Sequence, residues 1–256
     1  MDESQSLKNF TIAAPELFDG IAMRGPALVT VSGGRIEAVS LRGRASRRAT
    51  VLPADAILAP GFIDVQLNGG GGVLLNDHPT EAGVRVIIEA HRRGGTTGCL
   101  PTLITDRVDV MERLAAVAPA LLQIPGVLGF HLEGPALNKA RKGIHPESEI
   151  CLPSAQALAT LKSFGKYGRS IVTLAPECVP RTLIGDLVGA GLRVSAGHSE
   201  ASATQIKQAA DCGVTGVTHL FNAMSQLKGR EPGVVGAALC DERQLRDSGL
   251  PGREKS

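Results

Sequence analysis

A chain of 256 residues with 43% apolar content can bury a large core, as one domain or as one large and one small. Its net charge of +2, its 3% aromatic content and its lack of Trp exclude a nucleic-acid surface built on a basic face with aromatic stacking platforms. Five cysteines (Cys99, Cys151, Cys178, Cys212, Cys240), scattered and free of any Cys-x-x-Cys pair, argue against a disulfide framework or a thiolate zinc site and fit a reducing cytoplasm. The start, Met1-Asp2-Glu3-Ser4, lacks the basic and apolar regions of a signal peptide, and no apolar run reaches the length of a membrane span. The expectation is a soluble cytoplasmic protein with no nucleic-acid or membrane partner.

In chain order, the first 56 residues read as a small β-sandwich element. Ala27–Val31, the turn Ser32-Gly33-Gly34 and Ile36–Val39 alternate apolar and polar residues around a hairpin signal. Arg42, Arg44, Arg47 and Arg48 follow; with no aromatic residues among them they read as a solvated loop. From residue 57 short apolar strands alternate with amphipathic stretches. Strands are expected at Gly61–Gln66, Thr97–Thr102, Val127–Glu133, Ile171–Ala175, Arg193–Ala196 and Gly216–His219, with helices at about 80–94, 106–122, 154–163, 181–190 and 201–212. This is an α/β pattern of right-handed βαβ units on a parallel sheet. Six strands suit a doubly wound sheet or a barrel. The barrel is favoured because polar residues recur at the strand ends: Asp64, Gln66 and Asn68, then Thr102, His131 and Glu133, Glu177, His198, His219 and Asn222. The run Gly69–Gly72 lacks both Gly-x-Gly-x-x-Gly spacing and a Gly-Lys-Ser/Thr, so it reads as a tight loop rather than a phosphate cradle.

Three of those strand ends carry chemistry. Gly129-Phe130-His131-Leu132-Glu133-Gly134-Pro135 leaves a carboxylate where Gly-Pro breaks the strand. Alone it would be a loop hydrogen-bonder. Ser195-Ala196-Gly197-His198-Ser199 and Thr218-His219-Leu220-Phe221-Asn222 add one imidazole at each of two successive strand ends. Two His and one Glu with an open position are the ligand set of a catalytic zinc site, which activates water and polarises a carbonyl.

These segments resemble the N-acetylglucosamine-6-phosphate deacetylase family of the amidohydrolase superfamily. The similarity rests on Ala59-Pro60-Gly61-Phe62-Ile63-Asp64-Val65-Gln66-Leu67-Asn68-Gly69, His131–Pro135, Lys142-Gly143-Ile144-His145, Thr173-Leu174-Ala175-Pro176-Glu177, Ser195–Ser199, Thr218–Met224 and Gly229-Arg230-Glu231-Pro232-Gly233, from about residue 57 to about 239. The resemblance implies an incomplete TIM-type (β/α)8 barrel of about six βα units and a hydrolase that converts N-acetylglucosamine 6-phosphate to glucosamine 6-phosphate and acetate. It implies that Glu133, His198 and His219 hold one divalent metal ion, expected to be Zn2+. Gln66-Leu67-Asn68 stands where many amidohydrolases carry the His-x-His of a second metal, and an amide binds metal poorly. It further implies that Asn222 and Ala223 meet the sugar phosphate, that Arg230 reaches it from the neighbouring subunit of a homodimer, and that His145 borders the substrate. From its basic loop alone, His145 reads equally as an exposed residue. His131 is left as a supporting or structural residue.

The same resemblance marks departures. A later strand bearing a substrate-contacting His and a last strand bearing a general acid/base Asp have no counterpart, so no catalytic acid/base residue is assigned. Residues 240–256 are polar and patternless and read as an atypical, disordered tail. The expectation is an incomplete deacetylase with much reduced or no activity; a non-catalytic fragment, or an amidohydrolase acting on a cyclic amide, is the alternative.

Overall fold

A computed structural model describes residues 9–41, 43–240 and the backbone of 246–247. The chain forms two compact units, the first ending at Gly61 rather than at residue 56.

In the first unit, β1 (Phe10–Ala14), β3 (Ala27–Ser32), β4 (Arg35–Ser40) and β5 (Thr50–Val51) form a sheet in the order β4-β3-β1-β5, while β2 (Glu16–Leu17) pairs with β6 (Ile57–Leu58). The hairpin β3–β4 turns at Gly33 and Gly34, whose φ angles of 57° and 75° are the left-handed pair that a two-residue turn demands. Leu17, Ala27 and Val29 make its small core, with Leu58 packed against them. Arg44, Arg47 and Arg48 lie exposed in the following loop; Arg42 falls outside the described residues.

The second unit carries the chemistry. Its elements run β7 (Phe62–Leu67), a small hairpin of β8 (Gly69–Gly70) and β9 (Val73–Leu74), α1 (Glu81–Arg92), β10 (Thr96–Ile104), α2 (Val108–Leu121), β11 (His131–Glu133), α3 (Ala155–Ser163), β12 (Ile171–Leu174), α4 (Arg181–Gly189), β13 (Arg193–Ala196), α5 (Ala203–Asp211), β14 (Val214–Val217), α6 (Gly233–Cys240) and β15 (Arg246–Asp247). Seven strands form one parallel sheet in chain order, β7-β10-β11-β12-β13-β14-β15. Among the described residues β7 and β15 are each paired on one side only, so the sheet is a partial barrel. Strand follows helix because the local signals agree: Thr80, Ser154 and Ser202 cap α1, α3 and α5 with their hydroxyls, the last in a capping box with Gln205. Leu132, Val172, Leu174 and Val194 face the helices and pack in one core with Leu161, Ile184, Leu187 and Ile206. The opposite faces of the same strands are left for polar side chains.

Several boundaries differ from the sequence reading; the strand expected at Gly216–His219 is β14 at Val214–Val217, which leaves His219 in the loop beyond it. β10 runs on to Ile104, which makes Thr102 a buried mid-strand residue rather than a rim residue; its hydroxyl accepts from the Leu67 N–H at 2.8 Å. β11 starts only at His131, because Gly129 lies against the Arg169 backbone, where a Cβ would sit 2.6 Å from a nitrogen. α6 escapes the periodicity rule because Gly-Val-Val-Gly-Ala-Ala-Leu-Cys has no polar face; Val234 and Val235 are fully buried. Of the expected tail, Cys240 closes α6 and Arg246–Asp247 pairs with β14, while residues 241–245 and 248–256 lie outside the described residues. Among the described residues no helix is long and apolar enough to cross a membrane.

Candidate metal centre

Three successive kinds of turn present the functional side chains at the C-terminal ends of the strands. Glu133 is the last residue of β11, and Gly134 (φ 97°) turns the chain away where a Cβ would come within 2.0 Å of the Thr105 hydroxyl oxygen. His198 and His219 follow β13 and β14 with φ angles of 48° and 43°, a region that non-glycine residues seldom enter. Phe221 (φ 74°) and Ala223 (φ 47°) are the other non-glycine residues in that region among those described, and they belong to the same loop as His219. Each such residue costs roughly 1–3 kcal/mol and persists only where its surroundings over-determine it. Here the two loops hold each other. The Ser199 N–H donates to the Ala223 carbonyl at 3.1 Å, and the Ser225 N–H donates to the Ser199 carbonyl at 2.9 Å.

Glu133 and His198 are buried and His219 half-buried. His198 Nε2 lies 3.0 Å from Glu133 Oε1 and 3.0 Å from His219 Nε2, and His219 Nε2 lies 3.3 Å from the same carboxylate oxygen. The far ring nitrogens decide what this means. His198 Nδ1 sits 2.7 Å from the Arg141 carbonyl oxygen and His219 Nδ1 sits 2.9 Å from that of Asn222. A carbonyl only accepts, so each Nδ1 carries a proton; a neutral ring then turns an Nε2 lone pair toward the carboxylate, and a charged ring turns an N–H. Two Nε2 atoms and a carboxylate oxygen this close need a positive charge among them. Burial pushes the Glu133 carboxyl up, but hydrogen bonds to His198 and His219 outweigh it and hold the group well below the usual carboxylate range. Burial lowers His219, and Glu133 more than offsets it, so that ring titrates above its ordinary value. A proton is one cation that fits; a metal ion is the other, and these three residues are the one group of metal-ligand type among the described residues. Two imidazoles and a carboxylate are a donor set that divalent transition metals accept.

Comparison with known proteins places this geometry. No family model matches the chain. It is 45% identical over 188 residues to the N-acetylgalactosamine-6-phosphate deacetylase of Shewanella sp. (strain ANA-3), covering 72% of this chain and 47% of that protein. It is 38% identical over 234 residues to the N-acetylglucosamine-6-phosphate deacetylase of Bos taurus, covering 86% of this chain and 57% of that protein. The crystal structure of N-acetyl-D-glucosamine-6-phosphate deacetylase from Mycobacterium smegmatis superposes with a TM-score of 0.83 at 30% identity, over 93% of this chain and 67% of that one. The chain belongs to the N-acetylglucosamine-6-phosphate deacetylase family. It spans about half the length of the curated relatives it matches.

Around Glu133, His198 and His219 of this deacetylase-family chain stand further polar residues. His145 is 2% exposed, which excludes an exposed loop residue; it stacks edge-on against His198 with ring centroids 4.4 Å apart. Its Nδ1 lies 2.9 Å from the Thr105 hydroxyl oxygen and 3.3 Å from the Thr105 nitrogen, and its Nε2 faces Glu133 Oε2 at 3.7 Å. Burial pushes its pKa down to about 4 against the pull of Glu133, so it is neutral at pH 7. Gln66 Nε2 donates to Glu133 Oε1 at 3.0 Å. The amide thus acts as a donor to Glu133.

His131 is fully buried under the centre, where burial keeps its pKa low and the ring neutral. Its Nδ1 is 2.9 Å from the Val65 carbonyl oxygen, to which it must donate, so Nε2 accepts from the Thr173 hydroxyl at 2.7 Å. Thr173 Oγ1 then accepts from Thr218 (2.7 Å), and Thr218 Oγ1 from Ser195 (2.8 Å). One directed chain of hydrogen bonds runs from Ser195 on β13 through Thr218 beyond β14, Thr173 on β12 and His131 on β11 to the Val65 carbonyl on β7. Asn222 is exposed, its carbonyl engaged by His219; Ala223 is half-buried; Arg230 is exposed in the turn that Lys228 and Glu231 close. The structure therefore brings Glu133, His198, His219 and His145 together, sets Asn222 and Ala223 on the loop of His219, and leaves Arg230 on the surface.

Proposed function

We propose that this chain provides the metal-holding part of a hydrolase that removes the acetyl group from N-acetylglucosamine 6-phosphate, giving glucosamine 6-phosphate and acetate, and that Glu133, His198 and His219 hold one Zn2+. The observation that carries this reading is the convergence of two Nε2 atoms and a carboxylate oxygen at 3.0–3.3 Å, with both Nδ1 protons taken by backbone carbonyls. When bound, the ion would supply Lewis acidity to the acetamide carbonyl and lower the pKa of a water. The chain's own residues do the rest. The Arg141 and Asn222 carbonyls hold the two imidazoles in the tautomer that leaves Nε2 free, and Gln66 fixes Glu133 through one oxygen. His145, neutral and buried beside the centre, borders the substrate. Asn222 and Ala223 meet the phosphate, and Arg230 offers a bidentate fork to it from a second copy of the chain in a homodimer. Five free cysteines support a reducing cytoplasm.

The metal set contains one carboxylate, and as a ligand it is not available to take the proton of an attacking water. The 256-residue polypeptide assayed alone is therefore expected to turn over more slowly than a relative with a further carboxylate at the site, by roughly the 10²–10⁴ that general acid/base help supplies. The deciding assay is acetate release from a panel: N-acetylglucosamine 6-phosphate, its 4-epimer, both sugars without phosphate, and a cyclic amide. Release from a 6-phosphate and none without it is expected; hydrolysis of the cyclic amide alone would overturn the reading.

A pH effect follows with a definite sign. The proton that Glu133 draws onto His219 competes with the metal, so apparent metal affinity should fall as pH drops through the histidine range, by about tenfold per unit for each proton displaced. Competition titrations with a chromophoric chelator at pH 6 and pH 8 check it, and equal affinity at both would contradict it.

A further inference from the structure

β12 lies between β11 and β13 in the sheet, yet it contributes no ligand while both neighbours do. What its loop contributes instead is Glu177. That carboxylate accepts from Asn138 Nδ2 at 2.9 Å, from the Ser199 hydroxyl at 2.7 Å and from the Glu200 N–H at 2.6 Å. Asn138 stands in the loop after β11, which carries Glu133; Ser199 and Glu200 directly follow the ligand His198 after β13. The bonds continue into the ligand itself. The Asn138 N–H donates to the His198 carbonyl at 2.9 Å, and the Glu200 side chain pairs with Arg141, whose carbonyl takes the His198 Nδ1 proton. Every partner of Glu177 is a donor, and a carboxylate is the side chain that can only accept. His198 sits in the left-handed region that needs such support.

We propose that Glu177 is a positioning residue: its carboxylate ties the loops after β11 and β13 across the intervening strand and sets the separation of Glu133 and His198 that the metal requires. This rests on the reading of Glu133, His198 and His219 as metal ligands.

The test uses the full chain, wild type against Glu177→Gln and Asn138→Asp. Glu177→Gln puts an amide N–H2 against donors, and Asn138→Asp sets a second carboxylate against the first while keeping the bond to the Ala140 N–H. Each metal-free protein is checked by circular dichroism; Zn2+ affinity is then measured by chelator competition, and the ligand field by the visible absorption of the Co2+ form. The expected result is wild-type secondary structure, 10–100-fold weaker Zn2+ binding and an altered Co2+ spectrum in each variant that folds. Wild-type affinity and spectrum in a folded Glu177→Gln or Asn138→Asp protein would overturn the proposal, as would failure of both to fold, since the carboxylate would then hold the fold and not the ligands. If the wild type itself binds no metal, the ligand reading falls first and this proposal with it.

Discussion

Replacing Glu133 with glutamine is expected to remove metal binding and any deacetylation that depends on it. The substitution keeps the shape of the side chain, so the barrel core is undisturbed. What changes is charge: two imidazole lone pairs would face a neutral amide, which binds metal poorly. The metal-free protein should change in stability too, and with a predictable sign. Glu133 is held below its ordinary value of 4.5, so its contribution is present above that pH and lost as the group protonates. His219 is raised above 6.5, so its contribution is full below that pH and lost as pH rises through the raised value. The pair therefore stabilises most between about pH 4.5 and 6.5. There the variant should lose about 1–3 kcal/mol, the worth of a hydrogen bond to a charged group, and the deficit should shrink at pH 8 and above. Urea unfolding of both metal-free proteins at pH 5.5 and pH 8.5 reads the difference. A deficit that grows with pH would contradict the pairing.

The second large effect concerns the hydrogen-bond chain beneath the centre. Thr173→Val keeps the volume and deletes the hydroxyl that donates to His131 Nε2 and accepts from Thr218. Both partners are fully buried, so no water replaces what is lost. Each stranded group should cost about 1–3 kcal/mol. Thr173→Ser, which keeps the hydroxyl and loses one methyl, should cost under about 1 kcal/mol. Denaturant midpoints of the two variants would separate these outcomes. If the valine protein is as stable as the serine protein, the chain is not continuous as described.

Legibility in the sequence followed the length scale of the physics. The alternation of strand and helix was readable from Ile57 onward because buried parallel strands such as Ile171–Leu174 are continuous apolar runs and the helices between them carry caps and a polar face. Glu133, His198 and His219 were readable as a set because each falls at the end of an expected strand, and two imidazoles with a carboxylate are a metal donor set. The supporting bonds were not readable. That Gln66 donates to Glu133 depends on β7 and β11 curving toward the same interior, and nothing in the spacing of residues 66 and 133 encodes it. Glu177 was legible as a polar strand-end residue, but its three donors come from loops on either side of its own strand. His145 looked as much exposed as buried in a loop of Lys and Arg; the Thr105 backbone, forty residues earlier, is what anchors its ring. α6 was missed for the opposite reason, since a helix apolar on every side has no period to detect.

The central claim is that one cation site is built by Glu133, His198 and His219. The most direct measurement is calorimetric titration of the metal-free chain with Zn2+ at pH 7.5, repeated on His198→Ala. One equivalent per chain in the wild type, with binding lost in the variant, is the expected result. Two equivalents, none, or wild-type binding without His198 would contradict it.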